Sequence, residues 1–159
     1  MLPDAARVTS ALRGGGAEQA MVETTATMLV VRVDTDELRA ALLALKDAGF
    51  DFMVDLFGID TGEAIDVVYL LRSLKRDEDV TVKLGLPYDA TLSSVWQTFP
   101  AAAYPEREAA EMFGLKLADH PNPQRLLTID GVPPLLRKSV EIRDAEHVRD
   151  RAGDPLGRL

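Results

Sequence analysis

The sequence predicts an α+β fold of two layers, with a mixed or antiparallel sheet, helices on one of its faces, and an extended irregular C-terminal segment. Two observations lead to this prediction. Runs rich in β-branched residues alternate with few helical segments, and three consecutive runs are joined by short links, which is typical of antiparallel neighbours. The chain has 159 residues, about the length of one domain, and it shows no internal repeat.

The chain begins with an arm, a strand and a helix. Residues 1–20 are small and polar and include a run of glycines, which predicts a flexible arm with at most a frayed turn around 5–12. The β-branched run 28–33 predicts a strand. Acidic residues at 34–37 are typical of a helix start, and the leucines and alanines after them share one face. A helix is therefore predicted over 36–48.

Three strands follow this helix. Alternating and β-branched residues predict them over 50–59, 65–73 and 80–86, with short polar turns between them. Such a meander forms a sheet with one face covered by the preceding helix. The α+β domain is predicted to span residues 21–114.

Two short helices and an irregular segment complete the chain. Apolar residues predict one helix over 92–99, and Pro105 and Gly114 fit the start and end of another over 105–113. Residues 115–159 are predicted to form an extended C-terminal segment. They hold too many leucines for free disorder and too few for a core of their own, so we expect them to lie across a partner's surface.

The composition argues against several kinds of function. The net charge of −8 disfavours nucleic acid as a partner. The absence of cysteine excludes disulfides, iron–sulfur ligation, thiolate zinc sites and cysteine nucleophiles in these residues. No run reaches the ~20 apolar residues of a membrane helix, and the first residues lack the apolar stretch of a secretory signal. We therefore expect a cytoplasmic location without direct membrane insertion.

Two sets of residues could carry acid–base or metal chemistry. Glu106, Glu108 and Glu111 could form a carboxylate site, but no histidine stands at the offset of a di-metal site, and a solvated helix face is the simpler interpretation. His120 follows Asp119 and could form an acid–base pair with it, although a loop-holding histidine is again the simpler interpretation. No catalytic, cofactor-binding or metal-binding residue is predicted.

Four basic residues lie in segments whose other residues favour an ordered structure: Arg107, Arg125, Arg137 and Lys138. Arginine among apolar residues in irregular chain suits bidentate pairing at a protein interface. Simple solvation at the surface explains these residues equally well, and the residues alone leave both interpretations open.

The segment PEREAAEMFG, residues 105–114, resembles the E-R-E-x-x-D-x-F-G signature of the 30-kDa, or C-type, subunit of respiratory complex I and of related membrane-bound NiFe hydrogenases. The stretches AIDVVYLLRS, DHPNPQRLL and PLLRKS are also similar to motifs of that family. The resemblance covers roughly residues 34–139. This chain departs from the family pattern at Glu111 and Ser139, where the family has aspartate, and at Asp119, where it has glycine.

The resemblance implies a non-redox peripheral-arm subunit of a complex I-type NADH-quinone oxidoreductase, which couples electron transfer to ion translocation. Its role would be assembly and docking in a hetero-oligomer at the cytoplasmic face of the membrane. The implied partners are a large 49-kDa-type or hydrogenase-large-like subunit, which residues 115–159 would wrap, and the adjacent small iron–sulfur subunit. Iron–sulfur clusters, flavin or a NiFe centre are expected only in partner subunits. The residues implied in the motif and in partner binding are Glu106, Arg107, Glu108, Glu111, Phe113, Gly114, His120, Pro121, Arg125, Arg137 and Lys138.

Three alternatives stay open. The chain could be the equivalent subunit of a membrane-bound NiFe hydrogenase or a formate hydrogenlyase-type complex. It could be a stand-alone, ligand-binding regulatory module whose C-terminal segment is a linker. It could also be a carboxylate-based enzyme that uses Glu108, Glu111 and His120.

Overall fold

The protein is described by a computed structural model over residues 2–141. These residues form three α-helices and seven strands, with one 3₁₀ turn at Pro100–Ala102. The elements in chain order are α1 (Ala5–Gly14), β1 (Met21–Thr24), β2 (Leu29–Val33), α2 (Leu38–Asp47), β3 (Phe52–Asp60), β4 (Ile65–Ser73), β5 (Glu78–Leu86), β6 (Thr91–Ser93), α3 (Ala103–Phe113) and β7 (Lys116–Ala118).

Five strands form one mixed sheet in the order β1-β2-β5-β4-β3. β3, β4 and β5 are successive antiparallel neighbours, as the meander predicts. β5 then lies beside β2 in the parallel direction, and β1 pairs antiparallel with β2 at the edge. A second, two-stranded sheet consists of the parallel strands β6 and β7.

One core joins alternate residues of the sheet to the buried faces of the helices. Val67, Tyr69 and Leu71 of β4 point into it, and they meet Leu42 of α2 and Phe113 of α3 in the same cluster of buried side chains. Alternation places these strand residues on one face of the sheet. The predicted fold class, a two-layer α+β fold with a mixed sheet, is confirmed.

The N-terminal residues form a packed helix where we predicted a flexible arm over 1–20. The Asp4 side chain accepts a hydrogen bond from the Ala6 N–H at 2.9 Å and caps α1. Val8 and Leu12 are fully buried, and Gly15 lies so close to Ala44 of α2 that a side chain would not fit. The prediction was wrong for residues 5–14 because packing against α2 stabilises a helix whose own sequence signal is weak.

The chain near residue 95 also differs from the prediction. Residues 92–99 form strand β6 and a turn, not a helix, because β6 pairs with β7 and because Glu106 holds the backbone at Val95. The prediction of irregular chain from residue 115 onward likewise missed β7. The helix predicted over 105–113 is present and starts two residues earlier, with Pro105 in its first turn, where a missing N–H is tolerated.

Candidate functional site

The site built around α3 begins with three glutamates in different environments. Glu106 is fully buried, Glu111 is nearly so, and Glu108 is exposed. From the sequence alone, a solvated helix face is the simpler interpretation of these three glutamates. The fold separates them into two internal hydrogen-bond acceptors and one surface residue.

Glu106 connects α3 to the turn after β6. One carboxylate oxygen accepts the Val95 N–H at 2.7 Å, and the other accepts the Ser94 hydroxyl. Burial raises the pKa of the Glu106 carboxyl, although the hydrogen bonds from Ser94 and Val95 act in the opposite direction. The Glu106 carboxylate thus accepts two hydrogen bonds from this turn, although its burial disfavours the charged form.

His120 packs against the same carboxylate. Its Nε2 lies 3.7 Å from Glu106 Oε2 and donates to the Ala103 carbonyl at 2.8 Å, while its Nδ1 accepts the Asn122 N–H at 3.0 Å. These two bonds are both satisfied by the neutral tautomer with its proton on Nε2. Asp119, the alternative acid–base partner, instead forms an ion pair with Arg39 at 2.8 Å. His120 holds the loop to the start of α3.

Glu111 holds the next stretch of the loop. Its carboxylate accepts the N–H groups of Leu126 at 2.6 Å, Leu127 at 3.0 Å, and Thr128. Burial by itself raises the pKa of this carboxyl, but the hydrogen bonds from Thr128, Leu126 and Leu127 outweigh it and lower the pKa to about 2. Glu111 is therefore a charged acceptor that fixes a loop rather than an acid or base.

Two arginines organise the same loop by donating to carbonyls. Arg107 donates to the carbonyls of Gln124 at 2.7 Å and Arg125 at 2.9 Å. Arg125 donates to the Ile129 carbonyl at 3.2 Å and to the Val132 carbonyl at 2.9 Å. Both guanidiniums thus supply the hydrogen bonds that irregular backbone lacks.

Arg137 fastens the C-terminal part of the segment to the end of α3. It donates to the Phe113 carbonyl at 2.7 Å and to Asp89 at 2.8 Å. Gly114 has φ of 70°, and a Cβ there would lie 2.6 Å from Arg137 Nη2. Phe113 packs on Gly58 of β3, where a Cβ would also collide. Glycine at both positions therefore permits the close approach.

Asp60 is a functional candidate that sequence reasoning missed. It is buried at the end of β3, and its carboxylate accepts the Tyr88 hydroxyl, the Gly62 N–H and the Lys138 N–H, each at 2.7 Å. The Tyr88 hydrogen bond, with that from Lys138, lowers the pKa of Asp60. An aspartate two residues before a glycine signals only a turn, so the long-range contact has no local signature.

The fold brings most of the predicted residues together through one segment, residues 119–138. Lys138 takes part by its backbone N–H, while Pro121 and Glu108 are exposed. The proposed carboxylate enzyme is not supported, because Glu111 binds the 126–128 backbone whereas His120 contacts Glu106. Over residues 2–141, no group of three or more His, Cys, Asp or Glu side chains could hold a metal ion.

The segment exposes three of its apolar side chains, although its backbone is held by hydrogen bonds to the domain. Leu127, Ile129 and Leu136 are exposed. Glu111 of α3 accepts the Leu126 N–H and Asp60 of β3 accepts the Lys138 N–H, so the described part of the segment is fastened to its own domain. That residues 115–159 wrap a partner stays a prediction. The part of that prediction that falls on residues 142–159 lies outside the described residues.

Comparison with known proteins identifies the family. A family model described as "Respiratory-chain NADH dehydrogenase, 30 Kd subunit" matches residues 31–146. The chain belongs to this family. The C-type subunit of the NADH-quinone oxidoreductase of Maricaulis maris is 34% identical over 130 aligned residues, and the match covers 76% of this chain and 64% of the relative. The C-type subunit of Moorella thermoacetica is 36% identical over 105 aligned residues, and the match covers 62% of this chain and 69% of the relative.

A further relative and two solved structures extend this comparison. The C/D-type subunit of the NADH-quinone oxidoreductase of Shewanella woodyi is 37% identical over 135 residues, and the match spans only 22% of that protein. A trypsin-resistant fragment of Nqo5 has a TM-score of 0.62 at 25% identity, over 73% of this chain and 98% of the fragment. A chain of the membrane-bound sulfane sulfur reductase, an archaeal respiratory membrane complex, has a TM-score of 0.63 at 26% identity, over 71% of this chain and 69% of that one. The Shewanella woodyi and Maricaulis maris relatives are each spanned over less than two thirds of their length.

The three α-helices described in this 30-kDa-family member have ten or eleven residues each. Among residues 2–141, no helix is both long enough and apolar enough to cross a bilayer.

Proposed function

We propose that this chain is the C-type component of an NADH-quinone oxidoreductase and that it serves assembly and docking rather than chemistry. The observation that carries the proposal is that the charged residues of the family motif hold backbone in place and do not form a catalytic site. Arg107 and Glu111 fix the 119–138 segment, which presents Leu127 and Ile129 to solvent, and Glu106 holds the turn after β6. A preorganised surface with exposed apolar residues suits a protein partner.

The proposed partners are the large 49-kDa-type subunit and the small iron–sulfur subunit beside it, at the cytoplasmic face of the membrane. The relatives named as C-type subunits of NADH-quinone oxidoreductases support a place in such a complex. The absence of cysteine from these 159 residues supports the expectation that clusters reside in other subunits. The site residues named above would act by holding the docking surface in shape.

A second candidate is the equivalent subunit of a hydrogenase-related membrane complex. The similarity to a chain of the sulfane sulfur reductase supports a second kind of complex, because that archaeal respiratory membrane complex is matched with a TM-score of 0.63, close to the 0.62 of the Nqo5 fragment. The two candidates share the docking role and differ in the electron carriers that partner subunits would bind.

Purification from the native host tests the proposal. A tagged copy of the chain, expressed from its own locus, is recovered from detergent-solubilised membranes and its companions are identified by mass spectrometry. We expect a large 49-kDa-type subunit, iron–sulfur subunits and NADH-dependent quinone reduction, all lost when the gene is deleted and restored by complementation. Companions of the NiFe hydrogenase type would favour the second candidate. A monomer without companions would overturn both and favour the stand-alone module.

A further inference from the structure

A cleft of about 230 Å³ opens between α3, β7 and the loop at residues 123–125. Three cationic residues line it: Arg107 from α3, Lys116 from β7 and Arg125 from the loop. Glu111 also lines it and is the acidic residue there. Lys116 is not among the site residues predicted from the sequence.

The positive charges of the cleft are poorly compensated by residues 2–141. Arg107 donates to carbonyls, which are neutral, and the Lys116 ammonium has no hydrogen bond or ion pair with the described residues. Arg125 has a carboxylate neighbour, Asp130, whose oxygen lies 3.9 Å away on a fully exposed side chain. Glu111 offsets one of the three charges, so the lining carries an excess of positive charge within a chain of net charge −8.

Apolar and aromatic side chains stand beside the cleft. Tyr104 is 67% exposed, and the Arg107 guanidinium lies 5.8 Å from its ring centroid. Leu127, whose N–H binds Glu111 in the lining, is 62% exposed. Fixed guanidiniums bordered by exposed apolar and aromatic side chains are typical of protein–protein contacts.

We propose that this cleft receives a side-chain carboxylate from an acidic segment of another subunit of the complex, with apolar neighbours of that carboxylate packing on Leu127 and Tyr104. This inference rests on the proposed function. Charge complementarity selects the occupant: the rest of an acidic chain repels such a segment, whereas the cleft attracts it. Because backbone carbonyls hold Arg107 and Arg125 in place, little side-chain freedom remains to be lost on binding.

Lysine labelling in the purified complex tests the proposal, with Lys75 as the internal control. Lys75 is exposed at the hairpin between β4 and β5, far from the cleft in the chain. An amine-reactive acetylating reagent is applied to the free chain and to the complex. We expect acetylation of Lys116 to fall about tenfold in the complex if a buried ion pair forms there, and acetylation of Lys75 to be unchanged. A zero-length carbodiimide should link Lys116 to an Asp or Glu of a partner.

Charge-reversal variants provide the second readout. Lys116→Glu should lower recovery of the complex about tenfold through like-charge repulsion, whereas Lys75→Glu should not, and both free chains should unfold at the same temperature as the wild type.

Three results would overturn the inference. If the chain co-purifies with its companions but Lys116 is labelled equally in both states and Lys116→Glu assembles normally, the inference fails while the proposed function stands. If inorganic phosphate alone protects Lys116 in the free chain as well as the complex does, the cleft is a site for free anions. If the chain has no companions, the proposed function fails and this inference fails with it.

Discussion

The carboxylate of Glu111 accepts three backbone N–H groups, so its charge should stabilise the fold. Glu111→Gln should lower the free energy of unfolding by about 1.5–3 kcal/mol at pH 7, the range for hydrogen bonds to a charged group. The folded-state pKa, about 2, lies below the ordinary 4.5. The stabilisation is therefore present above pH 4.5 and is lost as the pH falls towards 2. Urea unfolding between pH 7 and pH 3 measures both effects.

Glu108→Gln is the matched control for this measurement, since Glu108 is exposed on the same helix. It should change the free energy of unfolding by less than about 0.5 kcal/mol. Equal stability of the two variants at pH 7 would contradict the assignment of Glu111 as the acceptor that fixes residues 126–128.

Glu106 should show the opposite dependence on pH. Burial raises its pKa above the ordinary 4.5, so the folded state binds the proton more tightly than the unfolded state. The wild type should then lose stability relative to Glu106→Gln as the pH rises above 4.5 through the raised pKa, because glutamine keeps an acceptor for Val95 without the buried charge. Thermal unfolding at pH 4, 6 and 8 measures the difference. If the stability of the wild type instead rises relative to that of the variant as the pH increases, the buried charge is net stabilising.

Helix α1 tests the role of tertiary packing at the scale of an element. Leu12→Ala removes a fully buried side chain of α1 from the core that it shares with α2 and should cost about 2–4 kcal/mol of unfolding free energy. Arg13→Ala, at the exposed neighbouring position, should cost less than about 0.5 kcal/mol. Chemical denaturation of the full chain compares them. If the Leu12 variant is as stable as the Arg13 variant, the result would support the flexible arm that the sequence predicts.

The elements that the sequence predicts well are those whose signals are local. Strand β4 has three β-branched residues among its first four and is apolar along most of its length, and α3 ends just before Gly114, so both follow from neighbours along the chain. Strand β7 and helix α1 do not, because β7 depends on pairing with β6 and α1 on packing against α2. The same distinction holds for the site: the α3 motif is readable, whereas the acceptor role of Asp60 depends on Lys138, far along the chain.

For the whole molecule, the outer surface of the 119–138 segment should determine assembly without affecting folding. Leu127 is 62% exposed there, and Leu74, at the β4–β5 hairpin, is 65% exposed, so the two form a matched pair. Leu127→Asp should weaken recovery of the complex about tenfold, since apolar contacts at the centre of an interface carry most of its energy. Leu74→Asp should leave recovery unchanged. Both free chains should unfold like the wild type, because neither leucine is buried in them. Tag-based recovery from membranes, normalised to the amount of chain, measures the effect.

Equal recovery of the two variants would show that the docking surface lies elsewhere than on this segment. The next surface to test would then be the outer face of β3, where Phe57 and Ile59 are partly exposed.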